Sequence, residues 1–177
     1  MPVTTLTRPL PMMEPITYNL HSIPSGAAGV RATLRAMAKI ARDYKTNPAI
    51  RELALRLTRD LPPKKWAAEA ARIHAFVRDE IRYIKDIAGV ETLQTPIQTL
   101  RIGQGDCDDK SILVASLLLS IGHPVLFMAV GFHKGQYSHV LPFTKIAGKW
   151  VALETTEPWP MGKIPPKIVE RMVEHAK

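Results

Sequence analysis

The sequence predicts an α+β domain in which helices come first and an antiparallel sheet follows. Three observations lead there. Residues 26–84 carry apolar side chains at helical spacing, and a further apolar segment follows the glycine-rich turn at residues 103–105. Beyond Pro124 the pattern changes to short β-branched and aromatic runs divided by turn residues. With 177 residues, 46% hydrophobic and 23% charged, the chain suits one globular domain with a real core.

Residues 1–25 hold five prolines (Pro2, Pro9, Pro11, Pro15 and Pro24) and little periodicity, so they read as an extended arm ahead of a single domain over 26–177. From Gly26, Val30, Leu34, Met37, Ile40, Ala41 and Tyr44 fall at helical spacing. Asn47-Pro48 ends that helix and starts a second, because proline is tolerated in a first turn, and Leu61-Pro62-Pro63 stops the second. A third helix is expected from Trp66 through Tyr83, with Ala70, Ile73, Val77, Ile81 and Ile84 along one stripe. These helices make up a helical part over 26–84. Residues 85–102 lack strong periodicity and are expected to wrap the surface as a loop with short extended pieces.

The segment from Cys107 has a broad apolar face (Ile112, Leu113, Ala115, Ser116, Leu117, Leu119) and reads as a helix of about four turns, ended by Gly122 with Pro124 just beyond. V-L-F-M-A-V-G, Y-S-H-V-L-P-F-T-K-I and K-W-V-A-L-E-T-T read as strands, the last two joined by a hairpin at Ala147-Gly148. The C-terminal I-V-E-R-M-V-E-H-A is expected to be a short helix.

Several function classes lose support. No apolar run approaches the ~20 residues of a membrane span, and the proline-broken N-terminus has no export-type hydrophobic region. A single cysteine forms no internal disulfide, which fits a reducing compartment and a cytoplasmic protein. The net charge of +8 is spread over helices rather than concentrated in one motif, and no Cys/His finger, aromatic RNP strand or GxxG loop accompanies it. Nucleic acid is therefore not an expected partner, although the charge favours an acidic one.

The chemistry centres on G-Q-G-D-C-D-D-K-S, residues 103–111. At a helix start, free amides and the positive end of the dipole favour a Cys107 thiolate and can hold an oxyanion. Asp106, Asp108 and Asp109 are good helix-start residues, but their charge opposes a second anion beside them, so a low thiol pKa needs a cationic partner. His139, within a strand, is the best of six histidines. If Ala147-Gly148 is a two-residue turn, Ile146 pairs with Lys149, Leu141 faces Glu154, and His139 faces Thr156. His139 and Glu154 then lie diagonally on one sheet face. Nucleophile, base and orienting acid follow from that placement.

G-D-C-D-D-K-S, then Y-S-H-V, then G-K-W-V-A-L-E-T-T resembles the transglutaminase-like cysteine superfamily over roughly residues 64–165, the expected catalytic core. The resemblance implies a papain-like α+β core with the Cys helix packed on an antiparallel sheet, with Cys107 as nucleophile, His139 as base and Glu154 as third member. Glu154 stands where Asp is usual; the longer side chain can still accept from an imidazole. Residues 79–96, D-E-I-R-Y-I-K-D-I-A-G-V-E-T-L-Q-T-P, resemble the bacteriophage virion and tail branch of that superfamily. That branch implies a protein substrate or phage structural proteins as partners, and host cytoplasm or the virion as the place. A non-catalytic tail or capsid assembly module is the alternative.

Other residues receive plainer readings. No metal is expected, since Cys107 with Asp106 and Asp109 lacks tetrahedral Cys/His spacing and adjacent helix residues do not converge. No cofactor is expected. Gln104 and Gln98 are candidate second oxyanion donors, and Trp150 is expected to pack beside the site. His133 and Lys134 read as solvated, His74 as a helix-side residue, and His123 as helix-end punctuation.

Overall fold

The structure, a computed structural model, describes residues 25–85 and 92–177. The proline-rich arm up to Pro24 lies outside the described residues, as do positions 86–91. Helices α1 (Gly26–Tyr44), α2 (Pro48–Thr58) and α3 (Trp66–Glu80) come first. Asn47 starts α2 as its side-chain oxygen accepts from the amides of Ala49 and Ile50, with Pro48 in the first turn. Helix α3 stops at Glu80, earlier than the stripe suggested: Ile81 is buried beyond the helix end, but Ile84 is 39% exposed.

The expected loop over 85–102 contains a helix. Strand β1 (Arg82–Tyr83) leads toward α4 (Pro96–Ile102), and β2 (Gln104–Gly105) pairs in parallel with β1. The signals for α4 were local: Thr95 Oγ1 caps the amide of Gln98, Pro96 opens the helix, and Gly103 closes it at φ +71°.

Helix α5 (Cys107–Ser120) is the centre of the molecule. Ile112, Leu113, Val114, Ala115, Leu117 and Leu118 have no solvent exposure, so the helix has no polar side. It packs against α1–α4 on one side and against strands β3 (Val125–Gly131) and β4 (His139–Ile146) on the other. Each fully buried leucine or isoleucine contributes about 1.5–3 kcal/mol, which fixes the first turn of α5 relative to the sheet.

Strands β3 and β4, with β5 (Lys149–Ala152) and β6 (Glu170–Ala176), form an antiparallel sheet ordered β5-β4-β3-β6. The β4–β5 hairpin turns through Ala147 and Gly148, both at positive φ, and pairs Ile146 with Lys149 and Phe143 with Ala152, the expected register. One further ladder bond, Leu153 N–H to the Pro142 carbonyl, carries the chain beyond β5. The expected C-terminal helix is instead strand β6. Residues four apart share a face in both structures, so Met172 and Ala176 fit either period. Pairing with the open side of β3 decides for the strand, with Met172 and Ala176 buried and Val173 and His175 exposed between them.

Candidate active site

Cys107 is the first residue of α5, and the turn before it is held by reciprocal bonds. Asp106 Oδ1 accepts from the amides of Asp108 (2.9 Å) and Asp109 (3.0 Å), and Asp109 Oδ2 accepts from the Asp106 amide. Asp109 Oδ1 also accepts from the Gln94 amide at 2.7 Å, tying the strap before α4 to the same turn. A Cβ on Gly105 would lie 2.6 Å from that of Asp109, so only glycine lets the two segments approach so closely. Lys110, 1% exposed, sends its ammonium to the carbonyls of Ile81 (2.6 Å) and Arg78 (3.3 Å), closing the negative end of α3. Burial brings its pKa down to about 8, although Glu154 and Asp79 pull it upward.

The sulfur lies against the start of β4. Ser111, one turn on, donates to the Val140 carbonyl at 3.5 Å. His139 is the next residue back along the strand. In the resting site the thiol proton is directed at Asp108 Oδ1, 3.5 Å away. Burial pushes the thiol up strongly, and the charges of Asp108 and Asp106 add to it, outweighing the Val140 amide. The opposition of the aspartates to a thiolate, expected from the sequence, thus stands, and burial exceeds it.

His139 and Glu154 meet as the hairpin register requires, with Nε2 to Oε2 at 2.6 Å. Glu154 is 1% exposed, and its other oxygen accepts from the Thr156 amide (2.8 Å) and hydroxyl (2.7 Å). Burial alone would raise the Glu154 carboxyl, but the His139 bond and charge, with the two Thr156 donors, bring it below the ordinary carboxylate value. The carboxylate therefore accepts, His139 Nε2 carries the proton, and Nδ1 is the ring atom left to take one. His74 holds the backbone behind this pair: it is buried, and its Nε2–H donates to the Glu154 carbonyl. Burial lowers its pKa and keeps it neutral. The helix-side reading of His74 is corrected accordingly; its spacing from Ala70, Val77 and Ile81 had placed it on the buried stripe.

The remaining predicted residues lie elsewhere. Gln98 accepts from Arg101 and Gln104 from Arg82, and among the described residues no hydrogen bond joins either to Cys107. Trp150 does not pack beside the site. It pairs with Lys145 near the hairpin turn, about 13 Å along the strand direction from Glu154. His133 and Lys134 are exposed, as expected. His123 follows the end of α5, but it is also buried and bonded through Nε2 to Glu69.

The ligand atoms of Asp106, Cys107 and Asp108 lie within 4.8 Å of one another, so this trio could hold a metal ion. The argument that adjacent residues diverge fails because Asp106 is an extended N-cap outside the helical spiral. Within the trio, Asp106 Oδ1 already accepts two amides and Asp108 accepts from the thiol.

A profile of the Transglutaminase-like superfamily matches residues 51–155, more than half of the chain, and includes Cys107, His139 and Glu154. The chain belongs to the transglutaminase-like superfamily. Its fold agrees with solved structures at low identity. A candidate protease from Parabacteroides distasonis aligns with a TM-score of 0.56 at 16% identity over 72% of this chain and 27% of its own. A candidate cysteine protease from Cytophaga hutchinsonii aligns at 0.52 and 14% identity, over 75% of this chain and 52% of its own. Calcium-bound LapG of Legionella pneumophila aligns at 0.53 and 18% identity, over 77% and 80%. This chain therefore spans about a quarter and about half of the first two. No curated protein matches the chain. The transglutaminase-like core is the α+β, papain-like arrangement expected from the sequence, and among the described residues no helix is long and apolar enough to cross a membrane.

Proposed function

We propose that this transglutaminase-like protein performs thiol-dependent acyl transfer on a protein or peptide amide through Cys107, His139 and Glu154. The observation that carries this reading is the 2.6 Å His139–Glu154 bond at the start of β4, beside Val140, whose carbonyl accepts from Ser111 one turn on from Cys107. Because the resting thiol is protonated, deprotonation accompanies attack. The sulfur adds to the amide carbon while its proton passes to His139 Nδ1, and Glu154 stabilises the imidazolium. The amides of Asp108 and Asp109 are bonded to Asp106, and that of Lys110 to the Asp106 carbonyl. The Cys107 amide is the first-turn donor left for the oxyanion. The C–N bond then breaks, the imidazolium proton goes to the leaving amine, and water or a second amine releases the thioester.

Hydrolysis is the favoured outcome, because two of the structural neighbours are candidate proteases. A phage setting, with tail or capsid proteins as substrates, rests on the resemblance of residues 79–96. The second reading, a non-catalytic assembly module, draws on the thiol proton's being held by Asp108 rather than His139.

Acylation by p-nitrophenyl acetate needs no knowledge of the natural substrate. The expected result is an acetyl group on Cys107, found by peptide mass spectrometry, formed on the order of 10²–10⁴ times more slowly in His139→Ala. Equal rates in the two proteins would remove the catalytic reading and favour the assembly module.

A further inference from the structure

At the other end of α5 lies a second cleft, of about 550 Å³. Leu119 borders it, which places it roughly 18 Å along the helix from Cys107 at 1.5 Å per residue. Lys45, Lys145 and Lys177 line it together with His123, His175 and Trp150, and no carboxylate side chain does. Among the described residues none of the three lysines has an ion-pair partner. Like charges brought together repel one another, and an anion between them relieves that repulsion.

Two further features narrow the ligand. His123 is 1% exposed and bonded through Nε2 to Glu69 at 2.7 Å, yet its Nδ1 is one of two buried side-chain polar atoms without a partner among the described residues. With Nε2–H given to the Glu69 carboxylate, Nδ1 is an acceptor that a hydroxyl or amino donor of a ligand in the cleft can satisfy. Trp150 pairs across the hairpin with Lys145, which puts indole and ammonium on one sheet face. The indole is 38% exposed and packs against His175, giving a planar apolar wall beside the cations. The volume suits a small organic ligand.

We propose that this cleft binds a nucleoside polyphosphate, with its phosphates among Lys45, Lys145 and Lys177 and its base against Trp150. Neither the candidate active site nor its chemistry enters this inference.

Isothermal titration calorimetry of the full chain with ATP, in EDTA at fixed ionic strength, tests it. The expected result is saturable one-to-one binding, at least tenfold weaker in the Lys45→Glu/Lys145→Glu double variant and unchanged in Cys107→Ser. Trp150→Ala should weaken ATP but not inorganic tripolyphosphate. Circular dichroism checks that the variants fold. No binding of ATP, or binding that the double lysine variant leaves intact, would overturn the site. Tripolyphosphate binding wild type as tightly as ATP would overturn the nucleotide assignment.

Discussion

Replacing Asp108 by Asn should make Cys107 more reactive, not less. The carboxylate oxygen lies 3.5 Å from the sulfur and receives the thiol proton, so ionising the thiol places two negative charges side by side. At that distance the repulsion is about 1 kcal/mol at the dielectric of water and about 5 kcal/mol at an effective value of 20. With about 1.4 kcal/mol per pKa unit, removing one charge lowers the thiol pKa by roughly one to three units. Nucleophilicity falls with pKa at a Brønsted slope of about 0.4–0.5, so the net gain in alkylation rate at neutral pH is about 3- to 40-fold. Iodoacetamide labelling followed by intact-protein mass spectrometry, at several pH values, measures it. Asp43→Asn, on the exposed outer side of α1 where Asp43 pairs with Lys39, serves as the control for general charge. In wild type the labelling rate should rise only above the ordinary thiol range, because burial and Asp106 also hold the proton on. An unchanged or slower rate in Asp108→Asn, or fast wild-type labelling at mildly acidic pH, would refute the argument.

Glu154→Gln should lower acylation of Cys107 on the order of 10²–10⁴-fold, read with p-nitrophenyl acetate. Because Glu154 titrates below its ordinary 4.5 in the folded chain, its stabilisation is complete above that pH and is lost as pH falls through the folded value. Urea unfolding should therefore show wild type losing stability relative to Glu154→Gln below about pH 4.5. Lys110 works in the same direction in a higher pH window: its folded pKa of about 8 lies below the ordinary 10.5, so the unfolded chain binds the extra proton between them. Wild-type stability should rise with pH over that window relative to Lys110→Met, by at most about 3 kcal/mol in denaturant titrations at pH 7.5 and 10. Gly105→Ala should cost about 1–3 kcal/mol in the same assay, since the new methyl meets Asp109 at 2.6 Å; an unchanged midpoint would show that the turn yields freely.

Local signals read well from the chain. Asn47-Pro48 starts α2, the Asp106 and Asp109 pair caps α5, and Ala147-Gly148 sets a hairpin register that brings His139 to Glu154. Each depends on neighbours a few residues apart, and a period-two register propagates from its turn without slipping. The His139–Glu154 pairing was legible for that reason.

What only the tertiary structure decided involves segments distant in sequence. The last strand looked helical until β3 offered it a pairing edge, because a four-residue repeat satisfies both periods. His74 reaches across 80 positions to hold the Glu154 carbonyl, and Lys110 across 29 to hold that of Ile81. The charge state of Cys107 depends most on packing. From sequence the helix start favours a thiolate and the aspartates oppose it; the desolvation that adds most to that opposition comes from the packing of α5 against sheet and helices. Burial is a sum over neighbours that a linear sequence does not name, so the His139–Glu154 pairing could be read from the chain while the desolvation of Cys107 could not.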